Sequence, residues 1–156
     1  MTPTAEFKLV PMRETAPPQT RPIGDTPEAI AEYWRAQVET SPNNSHTTEQ
    51  AAVIMLNTRR RITGHVIAAT GTLDTILIHP REIYHAAILS NAAAIVLAHN
   101  HPSGDATPSE ADIKVTRDLI RAGQLLKIEM LDSVVIGHPQ ATQPFTSLRA
   151  CGYFYR

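Results

Sequence analysis

Cysteine is almost missing from this chain: Cys151 is the single one among 156 residues. One thiol excludes an internal disulfide and any zinc site built on thiolates, while sites made of His, Asp or Glu stay open. Aromatic residues are scarce at 5%, and the 14 Lys plus Arg do not exceed the 15 Asp plus Glu. The resulting formal charge of -1 removes the basic footprint on which nucleic-acid binding usually rests. No apolar run approaches the ~18 residues of a membrane span, and the N-terminus lacks a signal-peptide pattern. A cytoplasmic protein with no membrane partner is therefore expected. Apolar residues at 42% exclude wholesale disorder. The length suits one domain with a tail, and a chain of this size hides roughly 70% of its unfolded surface.

Proline marks the first boundary. Six of the twelve prolines fall within the first 27 residues, so residues 1–24 read as an extended or disordered arm, and the domain as 25–156. Phe7, Leu9 and Val10 form an apolar cluster within that arm, and composition alone assigns them no packing partner. Thr26 and Pro27 open a helix, with Thr26 as N-cap, and Ile30, Tyr33, Trp34 and Val38 recur at helical spacing, as a core stripe does. Ala51 to Leu56 is a short apolar run suited to a buried strand, and Arg61 to Ala69 a returning one. The basic run Arg59-Arg60-Arg61 between them reads as a solvated hairpin tip. After a connection from Gly71 to Ile78, His79-Pro80 starts a second helix. Ala92 to Ala98 is apolar enough for a central strand. A helix from Ser109 to about Arg121 follows, with Gly123 as its stop. Leu126 to Leu131 and Val134 to Ile136 read as two more strands, and Ser147 to Gly152 as a short closing helix. This order predicts an α/β (α+β) domain, a mixed central sheet flanked by helices.

The segment HNHPSGDATPSEAD, residues 99–112, carries the chemistry. His99 and His101 stand two apart at the end of the apolar strand, so they point to one side, roughly 6.6 Å apart along an extended chain. Two imidazoles on one side can converge on one ion. Asn100 points the other way. Asp112, in the first turn of the next helix, completes a His2Asp set with a fourth tetrahedral position left for water, the pattern of a catalytic zinc. Ser109 and Asp112 also have the spacing of a capping box, and the two readings are compatible. A water on zinc needs a base. Glu49, at the mouth of the first strand, is the candidate, with Glu82 and Glu110 as competitors. Asp105 reads as turn chemistry and His79 as a helix-start residue, while Arg81 and Glu82 suit an ion pair or, for Arg81, a substrate carboxylate. His65, His85 and His138 have no partner that the sequence names.

His99-x-His101, seven residues, Ser109, two residues, Asp112 matches the JAMM signature of the MPN-type metalloproteases, H-x-H-x7-S-x2-D. The wider run HNHPSGDATPSEADI resembles the bacterial RadC branch of that superfamily, as do GTLDTILIHPREIYHAAI at 71–88 and EQAAVIMLNTRRRI at 49–62. The likeness extends over about residues 27–156. It implies the MPN/JAB (cytidine-deaminase-like) architecture and one Zn2+ per chain, held by His99, His101 and Asp112. It implies Glu49 as the catalytic glutamate and Ser109 as a helper at the oxyanion. The implied reaction is hydrolysis of a peptide or isopeptide bond in a peptide or protein substrate.

Two departures from the RadC pattern stand out. A proline-rich arm occupies the place of the helix-hairpin-helix region usual at the N-terminus, and Leu131-Asp132-Ser133 replaces the common Leu-Asp-His. The RadC name carries an old DNA-repair label, which makes a repair-associated accessory protein one alternative, although the charge gives no support for nucleic acid. A non-catalytic, metal-containing scaffold is another; retention of all four motif residues favours an enzyme. An HNH nuclease places its histidines far apart on a ββα frame. A zinc deaminase needs H-x-E and a C-x-x-C pair, and one cysteine cannot supply it.

Overall fold

The computed structural model describes Ala5 and residues 17–42, 44, 47–71 and 78–155. Phe7, Leu9 and Val10 of the arm, and residues 72–77 of the connection, lie outside the described residues. Helix α1 (Pro27–Tyr33) begins as its sequence predicts: the Thr26 hydroxyl accepts the Ala29 N–H at 3.2 Å, and Pro27 takes the first position. It continues as a π-helical turn over Trp34–Val38 and buries Ile30, Ala31, Trp34 and Val38.

Strands β1 (Gln50–Leu56) and β2 (Ile62–Thr70) form an antiparallel hairpin. Its tip is closed by the Asn57 carboxamide, which accepts the N–H groups of Arg59 and Arg61. Arg60 turns at φ 60° there and pairs with Glu129, so the basic run is a hairpin tip. Helix α2 (Pro80–Leu89), strand β3 (Ala94–Asn100), helix α3 (Glu110–Leu126), and strands β4 (Glu129–Ile136) and β5 (Phe145–Ser147) follow. The sheet runs β2-β1-β3-β4-β5; β3 and β4 are parallel, with α3 as the crossover, and the other pairs are antiparallel. This is the expected mixed α/β sheet. Every residue of β1 is buried, as is every residue of β3 but Asn100, because both strands are covered on two faces. Alternate residues divide between them: Ala52, Ile54, Val96 and Ala98 pack with α1, and Val53, Ile95 and Leu97 with α2 and α3.

Three boundaries differ from expectation. Helix α3 runs past Gly123 and ends at Leu126, with Lys127 in the left-handed conformation at φ 59°. Gly123 is there for a close approach: a Cβ would meet the Tyr84 hydroxyl and the Ile128 carbonyl oxygen. The two strands expected after α3 are one continuous β4. Its polar Asp132-Ser133 pair looks like a break in sequence but is buried. Asp132 is accommodated because it accepts from the Ser147 hydroxyl at 2.6 Å and from the backbone N–H of Ser133 and Arg149. Finally, Ser147 belongs to β5, paired with Val134, and turns follow it in place of a closing helix.

Candidate metal centre

Strand β3 delivers His99 buried, on the face covered by α3, and His101 just beyond its end. The His101 N–H donates to the Ile136 carbonyl at 3.0 Å, which keeps the chain alongside β4 for one residue more. The chain then turns through Gly104, at φ 82°, where a Cβ would stand 3.1 Å from the His138 Cβ. His138 serves this turn with its backbone, donating to the Gly104 carbonyl, while its ring accepts from the Gln140 N–H. Asp105 accepts from both the N–H and the hydroxyl of Thr107, the turn chemistry its sequence predicts.

Ser109 caps α3 in a full capping box. Its hydroxyl accepts the Asp112 N–H at 3.1 Å, and its own N–H donates to Asp112 Oδ2 at 2.7 Å. The cap fixes the Asp112 carboxylate in the first turn, aimed at the end of β3. Asp112 Oδ1 lies 3.1 Å from His99 Nε2, Asp112 Oδ2 lies 3.4 Å from His101 Nε2, and the two Nε2 atoms are 3.3 Å apart. Capping and clustering thus use the same aspartate.

Glu49, just ahead of β1, joins the cluster, with Oε1 4.0 Å from His101 Nε2. Ligand atoms of Glu49, His99, His101 and Asp112 all lie within 4.8 Å of one another. Asn100 secures this placement. Its Oδ1 accepts the Gln50 N–H at 2.8 Å and its Nδ2 donates to the Thr48 carbonyl at 3.2 Å, so the backbone is gripped on both sides of Glu49. The sequence assigns Asn100 no task; its only signal is that it points to the side opposite the two histidines. The competing carboxylates are elsewhere: Glu82 is exposed beside Arg81, and Glu110 is exposed on α3. His85 is exposed, and His65 has a partner the sequence did not reveal, the Tyr33 hydroxyl 2.8 Å from its Nδ1.

The donor set fits a cation such as zinc. A tetrahedral ion with ligands at ~2.0–2.1 Å sets its ligand atoms roughly 3.3–3.4 Å apart, close to the three separations above. The tautomer fits as well. His101 Nδ1 lies 2.8 Å from the Asp105 carbonyl, which can only accept, so Nδ1 carries the hydrogen and Nε2 the lone pair. Asp112 Oδ1 is buried and faces nothing but the His99 ring, 3.1 Å from its Nε2, so a lone pair remains for a metal set between the two. The electrostatics agree. The hydrogen bond to Asp112 raises the His101 pKa against the effect of burial, helped by the Asp105 carbonyl and the Asp112 and Glu49 charges. Burial works to raise the Asp112 pKa, but hydrogen bonds from His101 and His99 outweigh it and hold the carboxyl well below the usual carboxylate range. Both shifts favour positive charge among these side chains, whether a proton or a metal ion supplies it.

A mixed α/β domain with a His-His-Asp-Glu cluster at the end of its central strand is the class that fold and site define. Residues 24–153 match the family model described as the RadC-like JAB domain. The chain is 40% identical over 127 residues to a UPF0758 protein of Symbiobacterium thermophilum, covering 81% of this chain and 52% of that one. It is 38% identical over 130 residues to a UPF0758 protein of Staphylococcus carnosus (83% and 53%), and 48% identical over 101 residues to one of Moorella thermoacetica (65% and 42%). The chain belongs to the RadC-like JAB domain family. It spans about half the length of the relatives it matches. No helix among the described residues is long and apolar enough to cross a membrane.

Proposed function

We propose that this domain is a zinc-dependent metallohydrolase of the JAMM type that cleaves a peptide or isopeptide bond. The observation that carries the reading is the gathering of Glu49, His99, His101 and Asp112 at one strand end. His99, His101 and Asp112 would hold the ion. Bound zinc supplies a Lewis acid that polarises a carbonyl and makes water acidic near neutral pH. The residues of the chain do the rest. Glu49, its side chain 12% exposed at the rim, takes a proton from the attacking water as the water oxygen bonds to the carbonyl carbon. It then passes that proton to the amine nitrogen as the C–N bond breaks. The Ser109 hydroxyl accepts from the Asp112 N–H through a lone pair, so its own hydrogen is free to donate to the developing oxyanion.

A non-catalytic scaffold would have no use for a carboxylate held on both sides beside the metal ligands, and the grip of Asn100 on Thr48 and Gln50 therefore favours an enzyme. Near-neutral charge gives no footprint for nucleic acid, so a peptide or protein is the proposed partner and the cytoplasm the proposed compartment. The test is a screen of zinc-loaded protein on peptide and isopeptide substrates, with Glu49→Gln as control. The variant is expected to keep the metal and to lose about 10²–10⁴-fold in turnover, the usual size of a general-base contribution. An undiminished rate in Glu49→Gln would place the base elsewhere.

A further inference from the structure

One layer behind the metal cluster, three buried polar atoms make no hydrogen bond among the described residues: His99 Nδ1, Thr116 Oγ1 and Ser133 Oγ. Their residues are 1%, 0% and 1% exposed. The fold brings all three to one side of the sheet. Thr116 lies one turn along α3 from Asp112, about 6 Å down the helix axis, on the face turned to the sheet. Ser133 of β4 is paired with Leu97, two residues back from His99 and roughly 6.6 Å down β3. The steps match: where Asp112 stands level with His99, Thr116 stands level with Leu97 and Ser133. Leu97 packs with Leu119 of α3, so Ser133, its parallel neighbour, faces the same helix.

Each atom has a chemical reason to want a partner. If His99 offers Nε2 to a metal, its Nδ1 carries hydrogen and needs an acceptor, and ligating imidazoles as a rule donate that second N–H. A valine would fill the volume of Thr116 without burying a hydroxyl, so the hydroxyl is a cost unless it is used. The same holds for Ser133 against alanine. Three polar atoms are also what one enclosed water commonly binds.

Building on the metal-site reading above, we propose that Thr116 and Ser133 are positioning residues for His99. One enclosed water accepts the Nδ1–H of His99 and donates to the two hydroxyls. This bridge sets the tautomer and the tilt of the ring, and therefore the direction in which Nε2 presents its lone pair. His101 has the Asp105 carbonyl for the same purpose, so the two ligands are oriented by different means: a loop carbonyl for the outer one, a buried hydroxyl pair for the inner.

The experiment uses Thr116→Val, Ser133→Ala and the double variant. Zinc affinity is measured by chelator competition, the ligand field by visible absorption of the Co2+-substituted protein, and the fold by apoprotein melting. Each single variant is expected to bind zinc about 10-fold more weakly and to alter the Co2+ bands. The double variant should lose less than the product of the singles, because both hydroxyls serve one water. Thr116→Ser should bind like wild type, and the apoprotein Tm should not fall in Thr116→Val. Wild-type affinity and bands in both single variants would overturn the proposal while leaving the metal site standing, and so would a fall in apoprotein Tm with affinity unchanged. Wild-type protein that takes up no stoichiometric zinc would remove the metal-site reading itself, and this one with it.

Discussion

Asn100 carries a burden out of proportion to its size. Its carboxamide is the shared support of the two backbone groups that flank Glu49, one accepted and one donated. Replacing it with alanine leaves the Gln50 N–H without its acceptor, a loss of about 1–3 kcal/mol for a buried donor. Asn100→Ala is therefore expected to speed hydrogen exchange at the Gln50 amide while the amides of β3 stay protected. At the same scale, the charges of His101 and Asp112 set a pH signature for the metal-free protein. His101 is raised above its ordinary value of 6.5, so its contribution to stability is complete below that pH and is lost as pH rises through the raised value. Asp112 is depressed below 3.8, so its contribution is present above that pH and is lost on acidification. The apoprotein Tm should then be highest between these limits, and His101→Gln should flatten the alkaline side. A wild-type profile with no decline above pH 6.5 would contradict the assignment.

At the scale of elements, the contact between α2 and α3 governs where α3 can lie. The Tyr84 hydroxyl donates to the Leu119 carbonyl at 2.7 Å, burial pushes the Tyr84 pKa up to about 12, and Gly123 gives that hydroxyl its space. Gly123→Ala would gain about 1 kcal/mol of helix propensity, but overpacking usually costs about 1–3 kcal/mol, and here the obstacle is partly backbone. Net destabilisation in urea is expected, with partial rescue by Tyr84→Phe. This contact also explains what could be read in advance. The strands β1 and β3 and the start of α1 were legible because apolar runs and a Thr-Pro cap are local signals. So were Ser109 and the His-x-His pair, whose spacing alone aligns them. The end of α3 was not legible, because a glycine that clears a tyrosine 39 positions away looks like one that ends a helix. The continuity of β4 was hidden because the partners of Asp132 come from Ser147 and Arg149, beyond any local window. Spacing offers Glu49 as one of three carboxylates and the family resemblance singles it out; strand pairing and the Asn100 clamp then show how it reaches the cluster while Glu82 and Glu110 do not.

For the whole molecule, the cluster joins pieces distant in sequence: the lead into β1, the end of β3 and the first turn of α3. An ion held there would tie those pieces together in the folded state alone. At a free zinc concentration of 100 times Kd, the linkage amounts to about 2.7 kcal/mol. Each kcal/mol moves Tm by about 2–4 °C in a domain somewhat larger than this one, so a rise of several degrees is expected, reversed by chelation. No such rise should occur in His99→Ala. Because the relatives are about twice as long as the matched region, activity assigned to this domain should be sought first in the domain itself, with metal as the primary variable. Elemental analysis of purified wild type, His101→Ala, Asp112→Ala and Glu49→Gln is the most direct measurement. About one zinc per chain is expected in wild type and in Glu49→Gln, and none in the two ligand variants; stoichiometric zinc retained by a His101→Ala/Asp112→Ala double variant would contradict the assignment of this centre.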